Sequence, residues 1–403
     1  MSTSAAHWRR NQAAVTIATF IGFTGFTLVM PFLPLYLEQL GEHDRSVIAI
    51  WSGLSLGVTP AITAAMAPFW ARLADRYGRK IMVARSLGAF IVVMAVMAAV
   101  QHPWQVFALR AILGLFAGYG GIAMTMAAES VPAEYMAAAI GWVQTAQRVG
   151  PALGPVIGGA LAEAFGLRRA FLVAAVVYLG AFLLVVFGYR EQDARSGDTR
   201  ALPVAPPSFS VFRRMPHFVL FMGVIFGLQL VDRSFGPILP LYLGEVGAEG
   251  LRTSFVSGVI FTIAAGAAAA GNQLTSTLLR WQPVAVLVPI SCAVAGVAAC
   301  VFAAAPGIFW LVTASIPFGL GMGVATTAIY TQASHSMTPS MRGVAFGYLT
   351  TAYLVGLAVS PVLAGFIGAL SMRTVFIVDA AGLVAVAAVV RQQMATGRAE
   401  PAS

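Results

Sequence analysis

Only 10% of the 403 residues are charged, and lysine occurs once, at Lys80. A soluble domain carries about 25% charged residues, so this chain lacks the means to cover a water-exposed surface. There are two cysteines, Cys292 and Cys300, in one apolar stretch. Eight residues of helix would hold them about 12 Å apart, beyond disulfide reach, and they read as packing residues. The P-loop pattern G-x-x-x-x-G-K-[ST] is missing, which argues against direct ATP drive. The five histidines are scattered, and His217 and His335 read as surface residues near helix ends. No His/Cys/carboxylate cluster suggests a metal site. The expectation is a protein that is not an enzyme and carries no cofactor.

What is abundant is apolar residues, 59% of the chain. Long runs such as 15–37, 81–100 and 170–187 match the roughly 20 residues of helix that cross a bilayer core of about 30 Å. They predict an all-α integral membrane protein with twelve transmembrane helices over 13–37, 46–70, 81–100, 104–127, 137–162, 167–189, 217–243, 253–279, 283–304, 306–331, 342–368 and 372–391. The first run follows MSTSAAHWRRNQ without a small-residue cleavage site, so it reads as a retained helix and not a removed signal peptide.

The net charge of +9 raises the question of a nucleic-acid partner. Its distribution answers it. Sixteen of the 24 Lys and Arg residues fall on one side of the membrane by the predicted spans, five on the other side and three within helices. That asymmetry is the positive-inside pattern, and it predicts a multi-pass protein of the cell (inner) membrane with both termini cytoplasmic. No basic stripe remains for a nucleic acid, and no obligate protein partner is indicated. The acidic turn with Glu129 and Glu134 is an exception on the inner side.

Residues 190–216 hold Pro203, Pro206, Pro207 and five arginines, a composition suited to a solvated cytoplasmic linker. They divide the chain into halves, 1–189 and 217–403. The halves repeat one another at an offset of 206 residues. PFLPLYL at 31–37 lies over PILPLYL at 237–243, and GWVQTAQRVGPALGPVIGG at 141–159 over GYLTTAYLVGLAVSPVLAG at 347–365. Gly141/Gly347, Thr145/Thr351, Gly150/Gly356, Pro155/Pro361 and Gly159/Gly365 are identical in that register. Six helices per half with same-side ends make a parallel duplication, an architecture whose substrate sites lie near the bilayer midplane.

Three motifs carry a family resemblance. ARLADRYGRK at 71–80 stands between spans two and three, Arg110 and Gly114 form an R-x-x-x-G pair in span four, and GPALGPVIGG at 150–159 lies in span five. Together with the repeat they resemble the major facilitator superfamily, and in particular its twelve-span drug:proton antiporters. Ala71 departs from the family's glycine at that place. The resemblance implies the major facilitator fold and alternating access by rocking halves. It also implies that Asp75, Arg76 and Arg79 work with an acidic residue at the end of span four, where Glu129 stands, as a conformational latch. A solvated positive turn is the plainer reading of the same loop. In span five, Gly150, Gly154, Gly158 and Gly159 with Pro155 present a small-residue face that lets helices approach closely in lipid. The antiporter implication comes from the resemblance alone.

Charges within spans are costly and point to function. Asp232 and Arg233 fall near the middle of span seven, Arg148 near the middle of span five, Arg110 in the outer half of span four and Asp379 in the outer half of span twelve. Asp232 is the candidate proton carrier, with Arg233, Arg110 or Arg148 as its modulators; a permanent ion pair is the alternative. Tyr119, Gln144, Gln147, Gln229, Tyr330, Gln332 and Tyr353 are candidate cavity residues. The expected activity is export of small amphipathic molecules or drugs in exchange for protons, with a small-molecule substrate, protons and the lipid bilayer as partners. A proton-coupled symporter or uniporter for a sugar or other metabolite is the second reading, and a non-transporting membrane sensor or assembly factor the third.

Overall fold

The computed structural model describes residues 3–190, 217–247, 252–337 and 339–396. The expected linker, 190–216, lies outside them beyond its first residue. Within them the chain is helical throughout: α1 Thr3–Leu28, α2 Leu33–Gln39, α3 Arg45–Tyr77, α4 Arg79–Met97, α5 Pro103–Phe116, α6 Gly120–Glu129, α7 Met136–Phe165, α8 Leu167–Leu183, α9 Phe218–Glu245, α10 Arg252–Trp281, α11 Val284–Ala304, α12 Ile308–His335, α13 Pro339–Leu370 and α14 Met372–Thr396. Ten helical segments are long and apolar enough to cross a bilayer, α5 and α6 counting as one, and α1 with α2 makes an eleventh. The expected count of twelve is not reached on that measure. The segment left over is α7, a 30-residue helix whose Gln144, Gln147, Arg148, five glycines and two prolines dilute its apolar character.

Two expected spans are broken. Span one bends by 55° between Leu28 and Leu33. Pro31 has no N–H to offer the carbonyl of Thr27 and its ring crowds that carbonyl. The backbone tightens instead, with the Met30 amide donating to Thr27 at 3.1 Å and the Phe32 amide to Val29 at 3.2 Å. Span four breaks at Ala117–Tyr119, where Gly118 takes φ +96°, a conformation that a side chain would strain. By contrast α9 runs unbroken through Pro237 and Pro240, and α7 through Pro151 and Pro155.

The chain forms two compact units. Unit 1 comprises Met1–Asp44, Leu54–Asp198 and Glu249–Thr262; unit 2 comprises Arg45–Gly53, Thr199–Ala248 and Ile263–Ser403. Each unit therefore takes in the first turns of a helix from the other half of the sequence. The 206-residue register is visible in each unit's own bonding. In unit 1 the buried Tyr36 hydroxyl donates to the Met97 carbonyl at 2.5 Å. In unit 2 Tyr242 donates to Phe302 at 2.9 Å and reaches Ala303 at 3.4 Å. A similar ring contact follows, one residue off the register: Tyr36 packs on Phe171 at 4.9 Å and Tyr242 on Phe376 at 5.2 Å.

Candidate functional site

The span-five motif builds a groove on α7 that receives α1. A methyl group placed on Gly150 would lie 2.9 Å from the Phe20 carbonyl oxygen, and one on Gly154 2.5 Å from that of Thr24. One on Gly158 would meet the Leu28 carbonyl. The three glycines stand four residues apart and touch three α1 carbonyls four residues apart. Thr27 adds a hydrogen bond from its hydroxyl to the Pro151 carbonyl at 3.1 Å, an acceptor left free because Pro155 lacks the N–H that would otherwise claim it. Gly159 faces away from α1, against the Ser254 carbonyl of α10. Such approach is open to helices in lipid only where side chains are missing.

The R-x-x-x-G pair of span four holds α3. Arg110 is buried at 1% exposure, and its Nε donates to the Ser55 carbonyl at 3.1 Å. Thr59 returns a bond from its hydroxyl to the Arg110 carbonyl at 2.8 Å, and Gly114 sits against the Thr59 backbone. No acidic group is paired with Arg110 among the described residues.

At the 71–80 loop, Arg79 forms an ion pair with Glu129 at the end of α6. The side chain of Asp75 lies outside those described. Arg76 is exposed and its guanidinium lies 5.4 Å from the ring centre of its neighbour Tyr77. Beside this loop stands a residue that charge counting passed over. Arg85 of α4 places its guanidinium 3.3 Å from the Trp70 ring centre and donates to the Phe116 carbonyl at 3.1 Å. The Trp70 indole donates to Leu115 at 2.7 Å, so α3, α4 and α5 are tied at one point. The signal for it in the sequence is an aromatic residue, Trp70, and an arginine, Arg85, flanking the motif.

In unit 2 the middle of α9 carries Gln229, Asp232 and Arg233. Asp232 Oδ2 lies 3.0 Å from Arg233 Nε, and the side chains are 32% and 28% exposed. Tyr353 of α13 interacts with Arg233 through its hydroxyl. Gln229 is buried, with no partner for its Oε1 among the described residues, and lies against Gly356. Tyr330 stacks on Phe346 at 6.1 Å, and Gln332 is half-buried. Unit 1 holds the remaining expected residues. Tyr119 is buried between Phe23 and Phe90, its hydroxyl unpartnered among the described residues. Gln147 donates to the Gly120 carbonyl at 2.9 Å, while Gln144 and Arg148 are exposed. Asp232, Arg233, Gln229 and Tyr353 thus share one neighbourhood of unit 2. Arg110 and Arg148 are placed in unit 1 on separate helices, the first occupied by α3.

A bundle of apolar helices broken at glycine and proline, duplicated in sequence and carrying charges at mid-helix, defines a polytopic membrane protein of the transporter type. The description Major Facilitator Superfamily matches residues 15–353 and 283–401, and the chain belongs to that family. Among curated proteins it is 38% identical over 257 residues to the multidrug resistance protein MdtG of Citrobacter koseri, covering 64% of this chain and 63% of that protein. The MdtG protein of Salmonella typhimurium is 38% identical over 258 residues with the same coverage. The matched region therefore spans just under two thirds of those relatives. Among solved structures, a bacterial homolog of the human lysosomal transporter Spinster superposes with a TM-score of 0.81 over the whole of both chains, at 16% identity. The nucleoside transporter NupG superposes with a TM-score of 0.74, at 15% identity over 95% of this chain and 99% of that one. These two establish the fold.

Proposed function

We propose that this protein exports small amphipathic molecules across the cell (inner) membrane in exchange for protons, by alternating access in the rocker-switch manner, with both termini cytoplasmic. The observation that carries this reading is the Asp232–Arg233 pair. A carboxylate in the middle of a 28-residue apolar helix costs about 2.5–3.5 kcal/mol at the bilayer centre. That cost is offset in part by Arg233, yet the pair stays about one third exposed, so the carboxylate remains open to protonation. Protonation of Asp232 would leave Tyr353 as the remaining partner of Arg233, and deprotonation would restore the pair. The similarity to the MdtG multidrug resistance proteins supports a drug-like cargo and outward direction.

In the same reading Arg79–Glu129 is part of the latch, together with Asp75 and Arg76, and breaks once per cycle. Gln229, Tyr330, Gln332 and Tyr353 of unit 2, and Tyr119, Gln144 and Gln147 of unit 1, contact the cargo. The test is dye transport in proteoliposomes under an imposed pH gradient. Gradient-driven accumulation in the parent that disappears in Asp232→Asn supports the reading. Accumulation of equal size in that variant, or uptake of a sugar alone, overturns it.

A further inference from the structure

The centre of unit 2 contains a second carboxyl that the proposed exchange does not use. Asp379 of α14 is 6% exposed, and its Oδ2 lies 2.6 Å from the Ser234 hydroxyl of α9. The same hydroxyl lies 2.8 Å from the carbonyl of Val231. Asp379 and Ser234 line a cavity of about 140 Å³ between α9, α13 and α14, whose wall is otherwise almost wholly apolar, with Leu230, Leu363, Ile367 and Val378 among the lining residues. Among the described residues Asp379 is the only ionisable one on that wall.

Ser234 has one proton and two neighbours that accept hydrogen bonds. If it donates to Asp379, the contact with Val231 has no proton, and an ionised carboxylate faces an apolar cavity with one neutral donor and no cation. If it donates to Val231, the contact with Asp379 must carry a proton from the carboxyl, and every group is satisfied. The distance of 2.6 Å fits either arrangement. The surroundings decide, because an unpaired ion in such a wall is far costlier than a neutral acid.

Nothing on the packed elements supplies the missing cation. On α9, Asp232 and Arg233 are paired with one another and neither lines the cavity; His217, Tyr242 and Glu245 stand at the helix ends. On α13, Tyr353 attends Arg233, Tyr348 lies further toward the helix start, and Ser360 gives its hydroxyl proton to the Leu230 carbonyl. The side chain of Arg342 lies outside those described. Helix α11, packed along α14, offers Cys292 and Cys300 and no charged residue. On α14 itself, Arg373 and Arg391 lie at the two ends and are exposed.

We infer that Asp379 and Ser234 form a proton-holding site, with Asp379 a neutral carboxylic acid donating to Ser234 and Ser234 donating to Val231. Asp379 lines the cavity, and the hydrogen bond found for its carboxyl among the described residues is the one at Oδ2. The cavity has room for water, since one molecule needs only about 10–15 Å³ of such space.

The inference stands whether or not the protein is an antiporter, and its test does not depend on transport. Infrared spectra of the full chain in lipid vesicles at neutral pH are compared for the parent, Asp379→Asn and Ser234→Ala. Asp379→Asn keeps the size of the side chain and a donor toward Ser234, so it is expected to fold. The expected result is a carboxylic-acid carbonyl absorption in the parent that Asp379→Asn removes and Ser234→Ala shifts. A parent-minus-Asp379→Asn difference showing carboxylate bands in place of the acid band overturns the assignment. An acid band unmoved by Ser234→Ala overturns the hydrogen bond, and remains readable if the Asn variant cannot be purified. Loss of gradient-driven transport in Asp232→Asn with the Asp379 acid band intact separates the two carboxyls.

Discussion

The two repeats use nearly the same packing and quite different charges. In unit 1 the glycines of α7 meet the carbonyls of α1, and Gly258 of α10 packs on the Pro155 carbonyl. In unit 2 Gly356 of α13 meets the Phe226 carbonyl of α9 at 3.0 Å, and Gly53 of α3 packs on the Pro361 carbonyl. Where repeat 1 has Gly154, repeat 2 has Ser360, and the contact becomes a hydrogen bond to Leu230. The charges do not follow the register. Arg79 and Glu129 fall over Ala285 and His335, Arg110 over Ile316, and Asp232 and Arg233 over Phe26 and Thr27. Backbone fit is duplicated, whereas each ionic device exists once. Close packing is needed wherever two helices cross in lipid, while a buried charge is tolerated only where it does something.

This contrast can be broken at its strongest point first. Gly154→Leu sets a branched side chain against α1 backbone, which cannot yield, and the cost should reach about 3 kcal/mol or more. The expected outcome is loss of the folded peak in size-exclusion chromatography of detergent extracts; a normal peak would mean that α1 does not sit in the groove. Next in size, Asp232→Asn should keep that peak and reduce gradient-driven dye transport to the background of empty vesicles. Packing and charge are then separated by two assays on two residues.

Glu129→Gln should slow transport several-fold, and the register-matched His335→Gln should leave it unchanged. Equal effects from both would show that the Arg79–Glu129 pair has no special role in repeat 1. The smallest effect is expected from Ser360→Ala. It removes one hydrogen bond and so about 1 kcal/mol, measurable as a lowered unfolding midpoint in detergent, with transport retained. A loss as large as that of Gly154→Leu would show that the serine contact is no mere substitute for the glycine one.

Much of the architecture was written in local composition. Apolar run lengths led to the helices, and the three motifs together with the repeat led to the family. The breaks were harder to read. Pro31 interrupts span one, yet Pro237 at the matching place does not interrupt α9, so proline alone does not decide where a helix stops. The stop at Gly118 turns on a backbone angle that many glycines in the chain do not adopt. Site residues divide in the same way. Asp232 and Arg233 stand out because they are neighbours inside an apolar run. Ser234 and Asp379 are 145 residues apart, and their meeting depends on the rotation of α14 against α9. Arg85 was hidden because it sits among loop arginines, although its guanidinium rests on an aromatic ring.

The groove on α7 also sets an unequal mutational tolerance. Its glycines meet α1 through carbonyl oxygens, and a carbonyl is the same whatever side chain its residue carries. Phe20 and Leu28 can therefore vary at this contact without altering what the glycines touch, whereas Gly150, Gly154 and Gly158 cannot, nor can Thr24 and Thr27, whose hydroxyls also face Gly150 and Gly154. A saturation scan of both helices would record permissive rows at Phe20 and Leu28 facing forbidden ones on α7. Sequence drift at those two places leaves the joint intact, and drift in the glycines destroys it.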